Sequence, residues 1–219
     1  MISIVPTPIG NMGDITYRSK EVLLEADCLI VENFQTATKL LKQLGRETMP
    51  KIIPFVKNEQ FNEYEISNHI IKFDNIAVTS EAGMPAISDP GYLLVEYLAK
   101  NNIAYTVLPG ACSVEVAVAA SGLVTKGYIF LGFIPTKKGR QTFWKELSQY
   151  TLPVVIFESV HRIDKCVEDM QVNLKPDTKV FIARELTKMY ETYIHTTVAE
   201  LSNVTITPKG EFVIVIRNS

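Results

Sequence analysis

The chain has 219 residues, 47% of them hydrophobic, which suits one large domain or two small ones with a substantial buried core. Twenty-two basic against 24 acidic residues give a formal charge of −2, so the net balance announces no polyanion and any nucleic-acid surface has to be a local basic patch. Cys28, Cys112 and Cys166 are too few and too widely spaced for a disulfide framework or a zinc site, and fit reduced thiols in a cytoplasmic protein. The first residues begin a strand at once, without a basic leader or a long apolar segment, so neither a signal peptide nor a membrane span is expected. Short β-branched runs predict strands at 2–5, 28–31, 51–55, 76–79 and 104–108. Helical patterns at 16–24, 36–44, 59–72 and 92–100 alternate with them, which predicts a parallel sheet covered on both faces. Residues 1–112 form the expected first domain. A connecting helix, 113–122, begins at Ser113 and ends at Gly122. Beyond it, strands at 128–133, 154–157, 180–184, 190–197 and 211–217 outnumber helices at 140–149 and 161–172, so the second domain, 113–219, is expected to hold a mixed or antiparallel sheet.

Three loops leave strand ends in the first domain. The central one is Ser80-Glu81-Ala82-Gly83-Met84-Pro85-Ala86-Ile87-Ser88-Asp89-Pro90-Gly91, with two prolines and two glycines that fix a shape. Gly83 offers a place where backbone is approached closely because no Cβ intervenes. The first, Pro6-Thr7-Pro8-Ile9-Gly10-Asn11-Met12-Gly13, lacks the third glycine of a dinucleotide fingerprint and the Gly-Lys-Ser/Thr of a P-loop. The third is Pro109-Gly110-Ala111-Cys112-Ser113. In an open α/β sheet such loops share one edge, where ligands bind.

These loops, together with Gly132-Phe133-Ile134-Pro135, Glu158-Ser159-Val160-His161-Arg162, Ala183-Arg184-Glu185-Leu186-Thr187-Lys188 and Lys209-Gly210-Glu211, resemble the ribosomal RNA small subunit methyltransferase I family of the tetrapyrrole (corrin/porphyrin) methylase superfamily. The resemblance spans essentially the whole chain. It implies an α/β fold of two domains, an N-terminal parallel sheet and a C-terminal mixed sheet, with S-adenosylmethionine in the cleft between them. It also implies a homodimer, no metal, and methyl transfer to a cytidine ribose 2′-hydroxyl of small-subunit ribosomal RNA. The cofactor contacts it implies fall on Pro8, Ala82, Gly83, Met84, Ile87, Cys112 and Ser113, with Glu158 and Leu186 from the second domain. Small residues and exposed backbone suit a cofactor without phosphates. Two departures stand out. Family members generally carry Glu-Asp-Thr-Arg where this chain has Glu32-Asn33-Phe34-Gln35, and they often continue into a small C-terminal domain beyond the point reached by Ser219.

Removing a hydroxyl proton as the methyl arrives calls for a positioned base, and Glu81, Glu158, His161 and Glu185 are the candidates. Glu32, Lys137, Lys138, Arg140, Arg162, Arg184 and Lys188 are the candidate substrate contacts. Lys137-Lys138-Gly139-Arg140 is the clearest basic cluster, and Phe143 or Trp144 beside it is placed to stack on a base or to pack inside its helix. For Arg184, Glu185 and Lys188 the competing expectation is a structural ion-pair network. A different methyl acceptor, or cofactor binding without catalysis, stays open as an alternative.

Overall fold

The computed structural model describes residues 1–54, 63–89 and 91–219, so the expectations for Phe55, for 59–62 and for Pro90 lie outside the described residues. The chain divides into two compact units, Met1–Cys112 and Ser113–Ser219.

In the first unit, strands β1 (Ile2–Ile4), β2 (Cys28–Val31), β3 (Lys51–Pro54), β4 (Ile76–Thr79) and β5 (Tyr105–Val107) form a sheet in the order β3-β2-β4-β1-β5. Every pairing is parallel. Alternate residues point to opposite faces, and both faces are covered. Ile2, Ile4, Cys28, Ile30, Ile76 and Val78 pack with α3 (Glu63–Ile70) and α4 (Gly91–Lys100), through Ile66, Leu94, Tyr97 and Leu98. On the other face, Leu29, Val31 and Ala77 pack with α1 (Tyr17–Glu25) and α2 (Phe34–Gln43), through Leu23, Ala37, Leu40 and Leu41. Thr16 caps α1 by accepting the Ser19 N–H at 3.0 Å. Helix α2 starts two residues earlier than its apolar pattern predicts, because the side chain of Asn33 accepts the N–H groups of Gln35 and Thr36 at 2.9 and 3.1 Å.

In the second unit, α5 (Ser113–Ser121) is followed by β6 (Ile129–Phe133), α6 (Arg140–Leu147), β7 (Val154–Ser159), α7 (Ile163–Asn173), β8 (Lys179–Arg184), β9 (Thr192–Thr197) and β10 (Glu211–Arg217). The sheet order is β6-β7-β10-β8-β9, with β6 and β7 parallel and the other pairings antiparallel. Its main core joins Val154, Ile156, Ile182, Ile214 and Ile216 to Trp144, Leu147, Ile163, Cys166 and Met170 of the two helices. Trp144 is 1% exposed, and its indole N–H donates to Asp169 at 3.2 Å, so it packs inside rather than offering a base a stacking surface.

Burial pushes the Cys28 thiol up to about 11 and raises that of Cys166 further, so both are inert core thiols. No described helix is long and apolar enough to cross a membrane.

Candidate functional site

The three loops of the first unit meet at Gly83. Its N–H donates to the Thr7 carbonyl at 3.1 Å and its carbonyl accepts the Thr7 N–H at 3.0 Å, an isolated antiparallel bridge between two loops. Gly83 has φ +81°, and a Cβ placed there would lie 2.9 Å from Ile9 Cγ2 and 3.5 Å from the Ala111 carbonyl. The first loop therefore packs closely against the position a side chain would take here. A Cβ at Gly110 would in turn fall 2.3 Å from Pro6 Cγ, so the third loop also closes on the first. These glycines let three chain segments interlock at the carboxyl edge of a parallel sheet.

The rest of the central loop is held from within. Ser80 Oγ donates to the Gly83 carbonyl at 3.1 Å. Asp89 Oδ1 accepts the N–H groups of Ala86 and Gly91 at 2.9 and 2.7 Å. Ala86 and Ser88 both sit in the left-handed region, at φ 67° and 62°. Non-glycine residues held there cost of order 1 kcal/mol or more each, and such strain gathers at ligand sites. Gly83 and Pro85 are buried, Pro8 and Met84 half-buried, and Ala82 and Ile87 exposed. Cys112 is half-buried at the end of the third loop.

A cavity of about 250 Å³ lies beside this junction, lined by the first loop (Thr7, Pro8, Gly10, Met12), by Thr79–Glu81, and by Thr36, Lys39, Leu40 and Gln43 of α2. The exposed Glu81 is among its walls, and the Glu81 N–H donates to Glu32 Oε2 at 3.4 Å. Thr7 is 3% exposed, and its Oγ1 has no hydrogen-bond partner among the described residues. Neither Thr7 as a polar group nor the α2 side chains of the cavity stood out in the sequence. Their only signal is proximity, which periodicity does not carry.

The motifs of the second unit gather at one edge of its sheet. The register sets Phe133 beside Phe157, Ser159 beside Glu211, and Phe212 beside Arg184, so the ends of β6, β7 and β8 and the start of β10 are neighbours. Arg162 holds this edge: it pairs with Glu158 at 2.9 Å and donates to Ser159 Oγ at 3.1 Å and to the Ile134 carbonyl at 2.8 Å. The Glu158 side chain is fully buried. Its Oε1 accepts the Ser159 N–H at 2.7 Å, while Oε2 has no partner among the described residues. His161 is exposed.

Glu185 sits at φ 54° and Thr187 at φ 62°, flanking the buried Leu186. Glu185 Oε1 accepts from Lys188 Nζ at 2.8 Å and from the Glu211 N–H at 3.0 Å, and Lys188 also reaches Glu211 at 2.7 Å. Burial alone raises the Glu185 carboxyl, but these hydrogen bonds and the charges of Lys188 and Arg184 outweigh it and hold it below the usual carboxylate range. A Cβ at Gly210 would overlap the Glu185 side chain, at 2.4 Å from Cδ. Arg184 donates to the carbonyls of Lys209 and Tyr190 at 2.6 and 3.0 Å. Arg184, Glu185 and Lys188 thus form the structural network that the sequence left open, and it locks the Lys209-Gly210-Glu211 turn.

Arg140 is likewise committed. It pairs with Asp169 at 2.6 Å and donates to the Pro135 carbonyl at 3.0 Å, with its side chain 13% exposed. The basic loop therefore presents Lys137 and Lys138, both exposed, while Arg140 anchors it from below.

The family profile described as Tetrapyrrole (Corrin/Porphyrin) Methylases matches residues 1–202. A Vibrio cholerae protein named ribosomal RNA small subunit methyltransferase I is 38% identical over 92% of this chain and 70% of its own. A Hydrogenobaculum protein of the same name is 36% identical over 97% of this chain and 94% of its own. Among solved structures, the methyltransferase CobJ superposes with a TM-score of 0.71 at 14% identity, covering 100% of this chain and 94% of that one. Uroporphyrin III C-methyl transferase from Thermus thermophilus does so with a TM-score of 0.66, also at 14% identity, covering 99% and 96%. At these identities the superpositions speak for the fold.

Proposed function

The chain belongs to the tetrapyrrole methylase family and, within it, to the ribosomal RNA small subunit methyltransferase I family, and from that membership we propose methyl transfer from S-adenosylmethionine to a cytidine ribose 2′-hydroxyl of small-subunit ribosomal RNA. The observation that carries this reading is the interlocked junction at Gly83 with a cavity at its side, a rigid place to hold a donor next to a place for an acceptor.

The donor supplies a methyl group on an electrophilic sulfonium and carries no phosphate. The residues of the junction fit it: Thr7 brings a buried hydroxyl without a partner among the described residues, Ala82, Met84 and Cys112 bring backbone groups, and Pro8 and Ile87 bring apolar surface.

Among the four carboxylate and imidazole candidates, Glu81 is the one we assign as the proton-accepting base. It is exposed, lines the cavity and is steadied through its own N–H by Glu32. Glu158 and Glu185 are already spent on Arg162 and Lys188. Arg162, Arg184 and Lys188 hold the edge of the second unit's sheet in shape. Lys137 and Lys138 bind the RNA backbone.

The same reading takes the protein to be a cytoplasmic homodimer. Met189 and Tyr190, 89% and 69% exposed, are apolar surface that a second copy would cover. A monomer mass in light scattering at micromolar concentration would end that part.

The test is transfer of labelled methyl from S-adenosylmethionine to small ribosomal subunits from cells lacking the protein, followed by nucleoside digestion and mass spectrometry. Label on a cytidine ribose is expected, and Glu81→Gln should lower kcat while leaving cofactor affinity unchanged. Label on a base, or none, would overturn the reading.

A further inference from the structure

Helix α2 carries surface that its role in the core does not explain. Ala37, Leu40 and Leu41 face the sheet, as an amphipathic helix requires. The opposite side holds Phe34, Gln35, Thr38, Lys39, Lys42 and Gln43, and these six line an open hollow of about 540 Å³. Phe34 is 54% exposed in the first turn, although an aromatic side chain gains most by burial. The helix contains no acidic residue, and neither Lys39 nor Lys42 has an ion-pair partner among the described residues. Lys39 and Gln43 also line the 250 Å³ cavity beside Glu81. The two hollows therefore share a wall on one helix, with an exposed aromatic ring in the lining of one and the proposed base in that of the other.

We infer that this face of α2 is a track for single-stranded RNA, with Phe34 stacking on a base, Lys39 and Lys42 holding the phosphates that flank it, and the neighbouring nucleotide entering the cavity beside Glu81. This inference rests on the RNA methyltransferase reading and deepens it. The chemistry points to a single strand: a lone ring with cations at helical spacing matches unstacked bases on a backbone, whereas a duplex hides its base faces. The smaller cavity falls just under the roughly 300 Å³ at which small-molecule clefts begin, so it suits one sugar or base rather than a whole cofactor.

The experiment compares wild type, Phe34→Ala, Phe34→Tyr and Lys39→Ala/Lys42→Ala in binding to extracted small-subunit ribosomal RNA across a salt series, with S-adenosylmethionine affinity measured on each. The double lysine variant should lower the slope of log affinity against log salt by about 1.4, at about 0.7 for each lost contact to a single strand. Phe34→Ala should weaken binding by about 5- to 150-fold, the range for one base stacked on an aromatic ring, with an unchanged slope, and Phe34→Tyr should restore it. Cofactor affinity should hold throughout. Wild-type binding and methylation that persist unaltered in all the variants would overturn the track and leave the methyltransferase reading standing. A wild-type protein that neither binds nor methylates the RNA would overturn both.

Discussion

The junction at Gly83 makes a quantitative demand on its neighbours. Gly83→Ala forces an L-residue to φ +81° and drives its Cβ to 2.9 Å from Ile9 Cγ2, while the Ala111 carbonyl at 3.5 Å is an ordinary contact. The left-handed backbone costs about 1–2 kcal/mol, and the crowding adds about 1–3 kcal/mol. Together they take a large share of the roughly 5–15 kcal/mol that stabilises a typical domain. Ile9→Ala alone removes buried methyl groups and should cost about 2–5 kcal/mol. In the double variant the crowding disappears with Cγ2, so the two costs should fall short of their sum by about 1–3 kcal/mol. Urea unfolding followed by far-UV circular dichroism reads this. Fluorescence of Trp144, the chain's one tryptophan, would report the other unit. Calorimetric affinity for S-adenosylmethionine should fall in Gly83→Ala and recover in part in the double variant. Additivity within about 0.5 kcal/mol would show that Ile9 is not what the missing side chain accommodates. Equal loss of affinity in the single and double variants would mean that the ligand, rather than the first loop, needs that space.

In the second unit, Arg162→Ala leaves Glu158 buried and unpaired and should destabilise the protein by about 3–5 kcal/mol, read from Trp144 fluorescence in denaturant, while Glu158→Met/Arg162→Met should regain most of it. A loss below about 1 kcal/mol for Arg162→Ala would remove the pair from the account of this edge. The Glu185 carboxyl titrates below its ordinary 4.5 in the folded protein, so its contribution to stability is present above that value and lost as pH falls through the lower, folded-state value. Stability measured from pH 5 downward should accordingly fall less steeply in Glu185→Gln than in wild type, and parallel curves would sink the assignment. Lys137→Ala/Lys138→Ala should flatten the salt dependence of RNA binding by about 1.4 in slope without changing cofactor affinity. Arg140 is spared in that variant because its bonds to Asp169 and to the Pro135 carbonyl anchor the loop.

Alternation made the first unit legible. β-Branched runs of four residues, separated by helix-length amphipathic segments, leave little but a parallel sheet, and Gly and Pro mark where its loops turn. The edge carrying the three loops followed from topology alone. What lay beyond reach was the partner each special residue serves. Gly83 reads in sequence as room for a ligand, and nothing in the sequence shows that Ile9, seventy-four positions away, packs against it. Arg140, Arg162, Arg184 and Lys188 read as cations for a polyanion. In three dimensions they also pair with Asp169, Glu158, loop carbonyls, Glu185 and Glu211, and composition does not encode pairing across strands. The strand ends drifted by one or two residues for a similar reason, since a ladder continues as long as its neighbour does. β7 runs to Ser159 because Glu211 is there to pair with it.

The Glu32-Asn33-Phe34-Gln35 segment divides between architecture and exposed surface. Glu32 keeps an architectural task, accepting the Glu81 N–H at the head of the central loop. Asn33 has another: its side chain caps α2 by accepting two N–H groups. Phe34 and Gln35, by contrast, are both exposed and both lie in the wall of the outer hollow, the surface on which the proposed RNA track depends.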